Sequence, residues 1–299
     1  MIEPAAFKFN SETATNNFYQ NNKLSESGSQ QLALQEFSDF IEKLKGKGIS
    51  TTVIKDTKIP IKPDAIFPNN WISFHENGVV ILFPMWAENR RQERRLDLLS
   101  RLKKEHNFKI KKQLDFSLYE KENKFLEGTG SMVLDRKNKL CYAAISLRTH
   151  EELVQKFCDK MNYSAILFSA NQTIKGRRVP IYHTNVMMTI ADKYAIICLD
   201  TIDDTNEKEE VLKALKKTNK EIIEITPAQK NCFAGNSLQV MGNNSVYLIM
   251  SSNAFHSLSS KQVAKIENFN PILHSDLTTI ENIGGGSARC MMAEVFLPK

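Results

Sequence analysis

The sequence predicts an α/β protein folded as a single domain. A hairpin, a helix and a further strand succeed one another about every 50–60 residues, and no Pro- or Gly-rich linker divides the 299-residue chain. Hydrophobic residues make up 41% of it, enough for a sizeable core. No clear sequence identity joins the successive copies, so the repeat is one of architecture.

Taken in order, the first 30 residues are polar, rich in Asn, Ser and Gln, and bounded by Ser25-Glu26-Ser27-Gly28-Ser29. They read as irregular chain placed to cover something. Leu32 to Lys45 has helical spacing, with Leu34, Phe37, Ile41 and Leu44 on one face and Gly46 as a stop. Thr51–Ile54 and Val79–Phe83 read as strands, and Arg91–Lys104 as a basic amphipathic helix. Ser131–Leu134 and Leu140–Ile145 form a hairpin turning near Arg136–Lys139. Thr149 stands as a cap before a helix to about Met161, with Ala165–Phe168 as the following strand. Val186–Ile190 and Ala195–Leu199 make a second hairpin, Glu207–Lys217 a helix and Glu221–Ile225 a strand. Leu238–Met241 and Ser245–Met250 make a third hairpin around Gly242-Asn243-Asn244. Ser259–Ile266 is a short helix, Ile272-Leu273 a strand, and Cys290–Leu297 the last strand.

Forty Lys and Arg against 34 Asp and Glu give a net charge of +6, which permits anionic ligands without requiring nucleic acid. The basic run from Arg90, Arg91, Arg94 and Arg95 to Lys112 reads mostly as a solvated helix face. Five cysteines, none spaced as a metal-binding pair and odd in number, argue against a disulfide framework or a metal site. There is no basic leader and no long apolar run. The expectation is a cytoplasmic protein without cofactor, metal, membrane or nucleic-acid partner; homo-oligomerisation is left open.

Gly284-Gly285-Gly286-Ser287-Ala288-Arg289-Cys290 presents one thiol beyond a glycine triplet. A single cysteine is more often a buried core residue, so a base must be found for it. His183 stands just before an apolar strand, where its ring can project from a sheet end. Glu127, in Leu126-Glu127-Gly128-Thr129-Gly130-Ser131, can hydrogen-bond a histidine and keep its imidazolium charged. Asp64 begins Asp64-Ala65-Ile66-Phe67-Pro68-Asn69-Asn70-Trp71, and Arg148 closes a strand where it can pair with a carboxylate. Each alone has a structural reading: Asp64 as a turn cap, Glu127 as a solvated acid, Arg148 as a charge at a helix start.

In this order, these segments resemble the guanidino-group-modifying, or pentein, superfamily. The resemblance runs essentially the length of the chain. It is nearest the citrulline-utilisation hydrolase branch, often labelled amidinotransferase, through Phe67–Trp71, Leu126–Ser131 and Gly285–Met291, with Pro4–Phe7, Asn10 and Asn17–Gln20 also alike. It implies a five-bladed pseudosymmetric α/β propeller with a central site. It also implies Cys290 as nucleophile, His183 as general acid and base, and Glu127 as the carboxylate orienting it. Asp64 would sit in the substrate pocket, Arg148 on the substrate α-carboxylate, and Asn236, in Ala234-Gly235-Asn236-Ser237, near the channel.

The chain departs from the pattern where methylarginine hydrolases carry acids, with Asn69 and Asn70 instead. Where arginine deiminases carry an Asp two residues past the histidine, it has Asn185. An amide offers both a donor and an acceptor and suits a neutral ureido group, whereas a carboxylate suits a guanidinium. The reading is therefore a metal-free thiol hydrolase of a small amino acid, citrulline first. Action on arginine or methylarginine, or amidino transfer, is the alternative. A non-enzymatic ribosome-binding pentein is the distant one.

Overall fold

A computed structural model of the protein describes residues 1–21 and 28–299; Ser25–Ser27 of the bounding stretch lie outside the described residues. One unit recurs four times: an antiparallel hairpin, then a helix, then a third strand parallel to the hairpin's second. The first unit pairs Ile72–Phe74 with Val79–Leu82, passes through helix Asp97–His106 and returns in Lys112–Asp115. The second uses Val133–Asp135, Leu140–Ala144, helix Glu151–Met161 and Ser164–Phe168. The third uses Met188–Ile190, Tyr194–Ile197, helix Thr205–Lys217 and Glu221–Glu224. The fourth uses Leu238–Met241, Val246–Ser251, helices Ser252–Ser257 and Ser260–Glu267, and Ile272–Ser275.

The second strands are mostly buried and read as near-continuous apolar runs; Val79–Leu82 and Tyr194–Ile197 are buried throughout. The helices lay an apolar stripe on these strands: Leu153, Val154, Phe157 and Cys158 pack with Ile81, Phe83, Cys141 and Ala143. The first strands of neighbouring units lie side by side, Met188–Ile190 touching both Val133–Asp135 and Leu238–Met241. Ile2–Glu3 and Ile54–Lys55, joined through helix Ser29–Gly46, form a parallel pair that repeats the strand–helix–strand half of the unit.

Three expectations need correction. Cys290–Leu297 is not a strand: Cys290 lies in a turn, and the residues beyond it pack Ala293, Val295 and Leu297 against the first unit's apolar cluster without joining a ladder. The cap of helix Glu151–Met161 is His150, and Thr149 instead exchanges backbone hydrogen bonds with Ser146. The basic stretch is a 3-10 turn, Glu88–Glu93, followed by a shorter helix, and Arg90 on that turn is buried. The hairpin Asn171–Ile174 with Arg177–Pro180 was not expected.

Candidate active site

The segment just before each unit's first strand carries a residue of the site. Three of these segments are single helical turns: Pro68–Asn70, Gly128–Ser131 after Glu127, and Thr184–Val186 after His183. Asn236 holds the same place before Leu238–Met241, and Cys290 the same place before the terminal extended segment. The architecture thus turns positions scattered along the sequence into one ring of side chains.

At the thiol, the side-chain amides of Asn236 and Asn185 donate to Cys290 Sγ at 3.3 and 3.5 Å. Asn236 is itself fixed, donating to the Asn185 carbonyl and accepting from the Arg289 N–H. The π-helical turn Ile280–Gly284 delivers the chain into Gly285, whose φ of 65° is left-handed. The Gly285 carbonyl accepts from Tyr182 Oη at 2.6 Å and from Asn17 Nδ2 at 3.1 Å, which holds the loop shut.

His183 Nε2 lies 2.7 Å from Glu127 Oε2, and both residues are buried. Burial alone would raise the Glu127 carboxyl, but the Arg148 charge, the His183 bond and Arg90 outweigh it and hold it well below the usual carboxylate range. Burial pushes His183 down to about 4, against the Glu127 bond and charge, which favour the imidazolium. The resting ring is therefore neutral at pH 7, not charged as the sequence suggested. An ionised carboxylate only accepts, so Nε2 carries the proton and Nδ1 is the basic nitrogen. Gly130 makes room for this ring: a Cβ there would stand 2.8 Å from His183 Nδ1 and Cε1 and 2.5 Å from Asn70 Nδ2.

Asp64 is buried; its Oδ2 accepts from Asn10 Nδ2 at 2.8 Å and Thr13 Oγ1 at 3.2 Å, while Oδ1 has no partner among the described residues. Desolvation raises its pKa, against Arg90, Asn10, Arg148 and Thr13. Arg90 forms a bidentate pair with Glu93 at 2.8 and 2.9 Å and donates to Asn70 Oδ1 at 2.9 Å. A guanidinium has no acceptor, so Asn70 must turn its oxygen to Arg90, leaving Nδ2 as an unpartnered donor beside the His183 ring. Asn69 is buried with both amide atoms unpartnered and does not line the cavity. Arg148 stands against Glu127 at 3.5 Å, with the Trp86 and Tyr182 rings against its guanidinium. Its other donors go to Asn16 Oδ1 and the Thr13 carbonyl.

Cys290, His183, Asp64, Asn70 and Arg148 line one cavity of about 10 Å³, roofed by Thr13 and Asn17. That is room for about one water. Of the polar first residues, Asn10 reaches Asp64 and Gln20 reaches the Gly284 carbonyl. Sequence reasoning passed over Arg90, Asn16 and Tyr182. For Arg90 the only linear hint was Glu93 three residues on.

The chain matches the family described as N,N dimethylarginine dimethylhydrolase, eukaryotic, over residues 3–297. No curated protein matches it in sequence. Among solved structures it is similar to the N-terminal domain of ArgZ, an arginine dihydrolase from the ornithine-ammonia cycle in cyanobacteria, bound to product. That likeness has a TM-score of 0.74 at 17% identity, covering 100% of this chain and 98% of that one. A complex of mutant AgrE with L-arginine gives 0.73 at 18%, covering 99% of this chain but only 40% of that one. A variant dimethylarginine dimethylaminohydrolase, as its adduct with S-methyl-L-thiocitrulline, gives 0.64 at 14%, covering 97% and 96%. At these identities the likeness establishes the fold.

Proposed function

Since this chain belongs to the N,N dimethylarginine dimethylhydrolase family of pentein guanidino-modifying enzymes, we propose that it is a cytoplasmic thiol hydrolase converting citrulline to ornithine, carbon dioxide and ammonia. The observation that carries the choice of substrate is Asn70, whose oxygen is committed to Arg90 and whose N–H group is left for the ligand. A ureido group offers a carbonyl oxygen to that donor; a guanidinium offers only further donors.

In this reading His183 Nδ1 takes the proton of Cys290 as sulfur attacks the ureido carbon, then delivers it to ammonia as the C–NH2 bond breaks. Glu127 stabilises the imidazolium formed between the two transfers. Water then adds to the carbon of the ornithine-bearing adduct, its proton passes to His183, and the C–S bond breaks with its electron pair on sulfur; the N-carboxyornithine released loses carbon dioxide to leave ornithine. Asp64 Oδ1, buried and unpartnered, receives the substrate ammonium. Arg148 receives its carboxylate, which must displace Asn16. For the architecture, we infer that the pair Ile2–Glu3 and Ile54–Lys55 with helix Ser29–Gly46 is the reduced fifth blade of a propeller.

A second reading, hydrolysis of arginine, is favoured by the retained carboxylates Asp64 and Glu127 beside the nucleophile. Products formed by the purified protein from citrulline, arginine and methylarginine in parallel decide between them. Ornithine from citrulline at the highest kcat/KM is expected; turnover of arginine or methylarginine with citrulline inert would refute the assignment.

A further inference from the structure

A second cavity, of about 290 Å³, lies on the other side of the nucleophile's turn. It shares no lining residue with the front cavity, yet Arg289 lines the one and Cys290 the other. Its walls are the adjoining first strands Val133–Asp135, Met188–Ile190 and the start of Leu238–Met241. At its outer end Lys137 and Asp192, both exposed, form an ion pair at 3.2 Å. At its inner end stands Asn185, 1% exposed, with Nδ2 on Cys290 Sγ and Oδ1 without a partner. Thr189 and Ser237 add hydroxyls between the two.

The reaction proposed above needs such a space. While the adduct exists, the amino-acid part of the substrate occupies the front cavity, which when empty has room for about one water. The water that hydrolyses the adduct, and the ammonia set free, then meet that ligand in the way of the front opening. Resting on that hydrolase reading, we propose that the rear cavity is a conduit for small neutral molecules, carrying water inward and ammonia outward past Asn185. Its unpartnered carbonyl is a docking point for a molecule that both donates and accepts.

Filling the conduit away from the catalytic groups tests this. Ile190→Trp and, as an independent plug on another strand, Gln239→Phe both add bulk to the lining. Rapid-quench mass spectrometry of the whole protein with citrulline reads the formation and decay of the Cys290 adduct. Formation should proceed at the wild-type rate, and decay should slow by about tenfold or more, so that adduct accumulates at steady state. Unchanged decay in a folded variant whose crystal structure shows the cavity filled would overturn the conduit. Absence of any adduct in the wild type with citrulline, arginine or methylarginine would instead sink the hydrolase reading beneath it.

Discussion

Replacing Asn70 with Asp probes the substrate assignment with almost no change of shape. Asn70 already gives its oxygen to Arg90, so the substitution exchanges only the amide nitrogen beside His183 for a second oxygen. Citrulline loses a donor and meets a lone pair where it needs a proton. Arginine gains a charge-assisted hydrogen bond. The surroundings sharpen the contrast, because three buried carboxylates, Asp64, Glu93 and Glu127, already share two guanidiniums, Arg90 and Arg148. Burial pushes Glu93 up to about 7 even with Arg90 bound to it, so a fourth carboxylate is poorly compensated until a cationic ligand enters. A differential of about 1–3 kcal/mol corresponds to roughly a 5- to 150-fold shift in relative preference. Steady-state kcat/KM for both substrates, taken as a ratio so that lost stability cancels, measures it. Equal loss on both substrates would refute the argument from charge and leave Asn70 as a holder of its loop.

Other predictions follow from the same geometry. Cys290→Ser should abolish turnover and leave the melting temperature nearly unchanged, because a hydroxyl near neutral pH is a far weaker nucleophile than a thiolate; activity retained in that variant would end the covalent mechanism. The acid limb of kcat/KM should fall near pH 4, where burial places His183, rather than near the ordinary value of about 6.5. The unfolded chain protonates this histidine first, so stability should decline as pH falls from about 6.5 to 4, by on the order of 3 kcal/mol, and His183→Gln should flatten the decline seen in denaturant titrations. Gly130→Ala should cost about 100-fold in kcat through a displaced His183 ring, with a crystal structure showing the shift; a wild-type rate would mean that the ring tolerates the methyl group.

Much of this was legible in the chain. The second, third and fourth units announce themselves because their buried strands are apolar runs separated by turn residues, and the candidate residues Glu127, His183 and Asn236 fall shortly before their first strands. The first unit was harder to read. Ile72–Phe74 is buried at all three positions, so it shows no alternation, and Lys112–Asp115 is mostly exposed and owes its conformation to pairing with Val79–Leu82. The run Met291–Leu297 has strand composition but no ladder, since hydrogen-bond partners are a property of the fold and not of the segment. Arg90 looked like one more charge on a solvated face because the groups that bury it come from loops around residues 64 and 70.

The residues that roof the site imitate what they exclude. Asn10 offers an N–H to Asp64 as a substrate ammonium would, and Asn16 offers an oxygen to Arg148 as a substrate carboxylate would. In the reading proposed above, Asn16 is thereby an intramolecular competitor for the carboxylate's place on Arg148, present at the high effective concentration of a tethered group. Apparent affinity is the intrinsic affinity discounted by the fraction of molecules with the roof raised. Shortening the side chain of Asn16 would lift that discount without touching the reacting atoms. A small carboxylate would have to unseat Asn16 from Arg148, whereas a small amine would find Asp64 Oδ1 already free among the described residues.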